Sequence, residues 1–118
     1  MYAILFPMLL TAVDRTQIQW DVDGLQREAL IVHPITDAGT PAPLVFVFHG
    51  HGGTAAQAAR SFNLEAHWPE AIVVYPQGVP TPGRLTDPEG KRNGWQSRAG
   101  EQGDRDLKFF DAMLTTLR

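Results

Sequence analysis

At 118 residues, with 43% hydrophobic and 19% charged positions, the chain has the composition of one small globular domain and not of a disordered segment. A formal charge of -3 gives no basic field for nucleic acid. With no cysteine, disulfides and thiolate metal sites are excluded, and the redox compartment stays open.

The first stretch, Met1 to Ala12, is apolar but too short to span a bilayer. It fits a shortened signal peptide over residues 1–12, with Ala12 as the cleavage residue and a secreted or periplasmic destination. It fits equally an N-terminal element packed on the core. The signal pattern is incomplete, because no Lys or Arg precedes the apolar run and Leu10 is not small.

Residues 17–118 read as the domain. Ile18, Trp20 and Val22 alternate with polar residues, the period of a half-buried strand. Asp23-Gly24 predicts a hairpin turn, and Leu25 to Val32 the return strand. Asp37 to Pro43 is a loop by its Gly and Pro content.

Leu44 to Phe48 is an uninterrupted apolar run, which predicts a strand buried on both faces. It leads into His49-Gly50-His51-Gly52-Gly53, and then into an alanine-rich helix predicted over Ala55 to His67. Trp68-Pro69 ends that helix, and Ala71 to Tyr75 is a second buried strand. Strand, helix and strand make a βαβ unit with a right-handed crossover, the core of an α/β fold.

Gln77 to Gly103 has no periodicity and predicts a long loop of the kind that serves function. Trp95 within it is either an anchor that packs the loop down or a substrate-lining ring. Arg84, Lys91, Arg92 and Arg98 read as solvated charges. Asp104 or Asp106 then caps a helix with Leu107, Phe110, Met113, Leu114 and Leu117 on one face.

The layout strand, glycine turn, helix points backbone N–H groups at an anion. Two ligand-binding readings of His49 and His51 compete, beside a bare glycine turn that binds nothing in a non-catalytic truncated protein. In one, their backbone forms an anion-binding loop, with the His49 ring bracing it from the core. In the other they are a His-x-His metal pair completed by His67 or an acid, a hydrolytic metal site with water as fourth ligand.

His49-Gly50-His51-Gly52-Gly53 after an apolar strand resembles the oxyanion loop of α/β-hydrolases. With Ala71-Ile72-Val73-Val74-Tyr75-Pro76-Gln77-Gly78 and Gly103-Asp104-Arg105-Asp106-Leu107-Lys108-Phe109-Phe110, it is similar to the polyhydroxybutyrate depolymerase and feruloyl-esterase-like carboxylesterases. Their opening hairpin motif is matched by Asp23, Gly24, Arg27 and Glu28. The resemblance implies the N-terminal half of an α/β-hydrolase fold, truncated before the nucleophile elbow, from a serine enzyme acting on small-molecule or polymeric esters without a cofactor. It implies the His51 backbone N–H as oxyanion donor, supported by His49, Gly50, Gly52 and Gly53.

No triad residue carries over. Ser61 lies in a predicted helix and Ser97 follows no strand, so neither sits on a nucleophile elbow. The family's acid and base come after its serine in the chain. The resemblance therefore places a G-x-S-x-G roughly 15–25 residues beyond Arg118. The chain by itself is expected to be inactive, and to self-associate through an open apolar sheet edge.

Overall fold

The computed structural model describes residues 14–36 and 39–118. The apolar segment 1–12 lies outside the described residues, and so does part of the loop expected from Asp37.

Strands β1 (Arg15–Val22) and β2 (Leu25–Val32) form the predicted hairpin, with Val22 paired to Leu25 across the turn. Asp23 and Gly24 both have positive φ, 53° and 83°, as a primed two-residue turn demands. The Gly24 amide donates to Asp21 Oδ1 at 2.7 Å.

Strands β3 (Leu44–Phe46) and β4 (Ile72–Pro76) complete a four-stranded sheet of order β1-β2-β4-β3. The β3–β4 pair is parallel, whereas β2 and β4 run antiparallel. The strand expected over Leu44 to Phe48 is shorter than its apolar run, although Val47 N–H still donates to the Val74 carbonyl at 2.8 Å. It is also half-buried and not sealed on both faces, because β3 is the outermost strand of the sheet.

Between these strands the single helix predicted over Ala55 to His67 is two helices, α1 (Ala55–Phe62) and α2 (Leu64–His67). Asn63 divides them in the left-handed region, at φ 45° and ψ 45°. Asn tolerates that region better than other side-chain-bearing residues. Thr54 caps α1, its hydroxyl accepting from the Gln57 amide at 3.0 Å.

Alternation along the strands sends neighbouring residues to opposite layers. Val73 and Tyr75 pack with Val32, Ala55 and Ala58 on the α1 side. Val74 packs with Ala29, Ile31, Phe109 and Met113 under α3 (Arg105–Leu117). Helices thus cover both faces of the sheet, as the buried strands require.

Residues 77–103 are less irregular than their composition suggests. Strand β5 (Val79–Pro80) pairs with β6 (Asn93–Gly94), and a 3₁₀ turn (Glu101–Asp104) precedes α3. The expected aspartate cap on α3 is not made. Asp104 sits at φ 56° and its carboxylate turns back to the Gly100 amide at 2.6 Å. Asp106 Oδ2 accepts instead from the Gln96 amide at 2.6 Å. The first amides of α3 go to Gln96 Oε1, from Asp106 at 2.9 Å and from Leu107 at 3.4 Å. A side chain ten residues back fills the role assigned to the local aspartates. Among the described residues, no helix is long and apolar enough to cross a membrane.

Candidate functional site

At the C-terminal end of β3 the chain turns through Gly50 to Gly53 into α1. His49, at the start of the turn, is 5% exposed. Its Nδ1 lies 2.7 Å from the Gly50 carbonyl and its Nε2 accepts from the Gly78 amide at 2.9 Å. An amide only donates and a carbonyl only accepts, so the ring carries its proton on Nδ1 and a lone pair on Nε2. Through these two contacts the His49 ring braces the turn.

Gly78 must be a glycine for this contact. A Cβ there would stand 2.6 Å from the Gly94 carbonyl and 3.1 Å from the His49 ring. Gln77, beside it, accepts the first amide of α1 (Ala55, 2.9 Å) on its Oε1.

The amides of the turn divide into taken and free. Gly53 N–H donates to the Gly50 carbonyl at 3.0 Å, and Gly52 N–H to the Asn93 carbonyl at 2.7 Å. Gly52 has φ 84°, which a side chain would strain. Among the described residues the His51 N–H has no acceptor. It is the donor singled out in the sequence, sitting at an exposed apex before two amides already committed.

Trp95 fulfils the anchoring reading. Its Nε1 donates to the His49 carbonyl at 2.9 Å, and its ring meets Phe48 edge-on at 5.0 Å. The same ring borders a cleft of about 440 Å³ that also touches His51, Pro82 and Leu85, so anchoring does not remove it from the surface open to a ligand.

Beneath the tryptophan lies a residue that sequence reasoning placed only within a hairpin motif. Arg27 is buried on β2, 1% exposed, with Nη1 2.9 Å from Asp106 Oδ1. Its guanidinium lies 4.3 Å from the Phe109 ring centroid and 5.8 Å from that of Trp95. Burial pulls its pKa below the usual value, and the Asp106 carboxylate opposes that pull. Asp106 in turn holds Gln96, next to Trp95. The separate sequence blocks around Arg27, Gln77-Gly78, Trp95-Gln96 and Asp106 therefore meet behind one loop.

The His51 side chain points elsewhere. Its Nε2 lies 2.9 Å from Asp87 Oδ2, a carboxylate that also accepts the Lys91 and Arg92 amides. The Lys91 amide, the His51 ring and the Arg92 amide hold the Asp87 pKa down at about 2. Asp87 went unread in the sequence because it lies in the aperiodic stretch after Gln77, 36 positions from His51.

The His-x-His metal reading is corrected by these partners. His49 has both ring nitrogens engaged, and His51 faces Asp87, so the two imidazoles do not converge. Among the described residues, no three His, Asp or Glu side chains gather around a common centre, His67 included. Ser61 lies in α1, and Ser97 borders the cleft without a hydrogen bond to His51 among the described residues.

No protein-family model matches the sequence, and no curated protein matches it. Solved structures do match by shape. An S-formylglutathione hydrolase from Agrobacterium tumefaciens superposes with a TM-score of 0.55 at 12% identity, over 91% of this chain and 47% of that one. Pyrococcus horikoshii acylaminoacyl peptidase gives a TM-score of 0.53 at 16% identity, over 99% of this chain and 19% of that one. Both have the α/β-hydrolase fold, and the mixed sheet described above is a part of it. At these identities the likeness is one of fold. The chain spans 47% of the first protein and 19% of the second.

Proposed function

We propose that this chain is the oxyanion-binding part of a serine carboxylic-ester hydrolase of the polyester depolymerase or feruloyl esterase type. The supporting observation is the His51 N–H, unpaired at the end of a parallel strand and at the entry to α1, while its neighbours Gly52 and Gly53 are hydrogen-bonded. The reaction of the whole protein is acyl transfer to water through a serine ester. In it the carbonyl oxygen of the substrate gains negative charge as the tetrahedral intermediate forms. A main-chain donor fixed at that place stabilises the transition state by roughly 3–4 kcal/mol.

The remaining residues act through this donor. His49 braces the turn against Gly78, Trp95 ties the His49 carbonyl down, and Gln77 fixes the first amide of α1. Nucleophile, base and acid are not among these residues, since Ser61 and Ser97 lack the strand-to-helix turn that a nucleophile needs.

Two measurements on the purified 118-residue chain test the reading. A short-chain nitrophenyl ester should be turned over no faster than the weak background of the loop. A burst of product at protein stoichiometry would contradict the assignment. Methylphosphonate, a tetrahedral oxyanion mimic, should move the His51 backbone amide resonance downfield in a saturable way. Absence of that shift removes His51 as the donor.

A further inference from the structure

The proposed donor sits in a stretch with an unusual distribution of side chains. From Gly50 to Gly53, His51 is the one residue with a Cβ. Glycine backbones rotate freely, so a peptide plane between glycines is held only by its own hydrogen bonds or by the side chain attached to it. The Gly50 carbonyl holds one edge of the His51 amide plane, accepting from His49 Nδ1 at 2.7 Å and from the Gly53 amide at 3.0 Å; the His51 imidazole is a second hold, on the Cα side.

That ring is gripped on three sides by the segment from Thr81 to Gly94. Asp87 Oδ2 takes Nε2 at 2.9 Å. On one side lies Gly94, where a Cβ would come within 2.4 Å of Nδ1; on the other lies Gly83, where a Cβ would be 3.3 Å from Nε2. The grip is itself rigid. Asp87 Oδ1 accepts the Lys91 amide and Oδ2 the Arg92 amide, each at 2.9 Å. The Asp87 carbonyl accepts from Gly83 at 3.1 Å and from Gly90 at 3.0 Å. Nε2 is engaged by Asp87, and Nδ1 lies where a side chain at position 94 would stand.

We propose that Asp87 is a positioning residue: through the His51 imidazole it adds a second hold to the His51 peptide plane, beside the bonds at the Gly50 carbonyl, and so limits the swing of the oxyanion donor. The proposal rests on the oxyanion reading for its purpose, though not for its geometry. A donor of this kind acts by being preorganised, and a plane that swings would lose most of that effect.

Asp87→Asn weakens the clamp together with one bond of the turn: with the amide oxygen on Lys91, the acceptor shared by His51 and the Arg92 amide is lost. His51→Ala leaves the Asp87 turn intact and isolates the clamp. In the 118-residue chain, the Gly52 amide, bonded to Asn93, should then exchange with solvent about tenfold faster or more. The His51 amide resonance should broaden, with the Ile31 and Val74 amides of the sheet still protected. His51→Ala should give the same acceleration, and the double variant no more than either alone, because both act through one contact. Unchanged Gly52 exchange in both single variants overturns the proposal. So does loss of sheet protection in Asp87→Asn, or additive effects in the double variant. If the clamp holds but methylphosphonate leaves the His51 resonance unmoved, the oxyanion reading alone fails.

Discussion

On the α1 side of the sheet, small residues do the packing: Ala55, Ala58 and Ala71 lie against Val73 and Tyr75. On the α3 side the residues are large, with Phe109 and Met113 buried and Trp20, Phe46 and Phe110 packed around them. Each side also buries a polar cluster. Against α2 the Tyr75 hydroxyl donates to Glu65 Oε1 at 2.5 Å and accepts from the Leu64 amide at 3.1 Å, while Glu65 Oε2 meets the half-exposed Arg15 at 3.3 Å. Under α3 the buried pair is Arg27 and Asp106, both charged. Alanines pack α1 on the sheet and the Tyr75 hydroxyl ties α2 to it, whereas α3 packs through large rings and the buried Arg27–Asp106 pair. Both devices serve the same loop, α1 through Gln77 and α3 through Gln96 and Trp95.

The charged side should be the more fragile. Asp106→Ala leaves the Arg27 charge buried without its counter-ion, and is expected to cost about 3–5 kcal/mol in denaturant unfolding. Pairing Arg27→Met with Asp106→Leu should restore most of that loss, since an apolar pair avoids the desolvation of two ions. A single-variant loss no greater than that of a surface substitution would erase the contrast between the faces.

The Tyr75 contact should yield less. Tyr75→Phe strips the partner from Glu65 Oε1, whose other oxygen keeps Arg15, and the acceptor from the Leu64 amide, an expected loss of about 1–3 kcal/mol. Burial, and then the bond to Glu65, raise the Tyr75 pKa from 10.0 to about 12. A raised pKa favours the protonated form in the fold, so this contribution is whole below pH 10 and disappears as pH rises towards about 12. Wild type should therefore lose stability over that interval more steeply than Tyr75→Phe, as thermal melts at stepped alkaline pH would show.

The smallest effect should come from Asp87, which belongs to neither face. Its folded pKa of about 2 lies below the ordinary aspartate value of 3.8. The unfolded chain binds the proton first, so the contribution is full above pH 4 and lost as pH falls through about 2. Acid titration should show a shallower decline in Asp87→Asn than in wild type.

The regular elements were legible because they follow short-range rules. Alternation at Ile18, Trp20 and Val22, with Asp23-Gly24 beyond, requires no knowledge of the rest of the fold. Apolar runs at Leu44 and Ala71 likewise announced buried strands, though not that β3 would lie at an edge and lose part of its burial. The departures all concern partners remote in sequence. Asp104 and Asp106 suit a helix cap by local rule, yet Gln96 wins the amides because the loop brings it there. Asn63 divides a helix that alanine content alone would continue. Of the candidate site, the loop and the bracing role of His49 could be read from glycine spacing. Arg27 and Asp87 could not, since a buried charge looks like a surface charge until its partner is placed.

One contact bears on how the chain is made. The Trp20 indole donates to Thr116 Oγ1 at 2.9 Å, across 96 residues of sequence. The β1–β2 hairpin is local and can close as soon as it leaves the ribosome, but its inner face waits for Phe109, Met113 and Thr116 to be synthesised. At ordinary elongation rates that interval is on the order of ten seconds. Throughout it, Trp20, Val22 and Ile31 face solvent on a strand pair with no covering helix, which makes the nascent hairpin a natural client for a ribosome-associated chaperone.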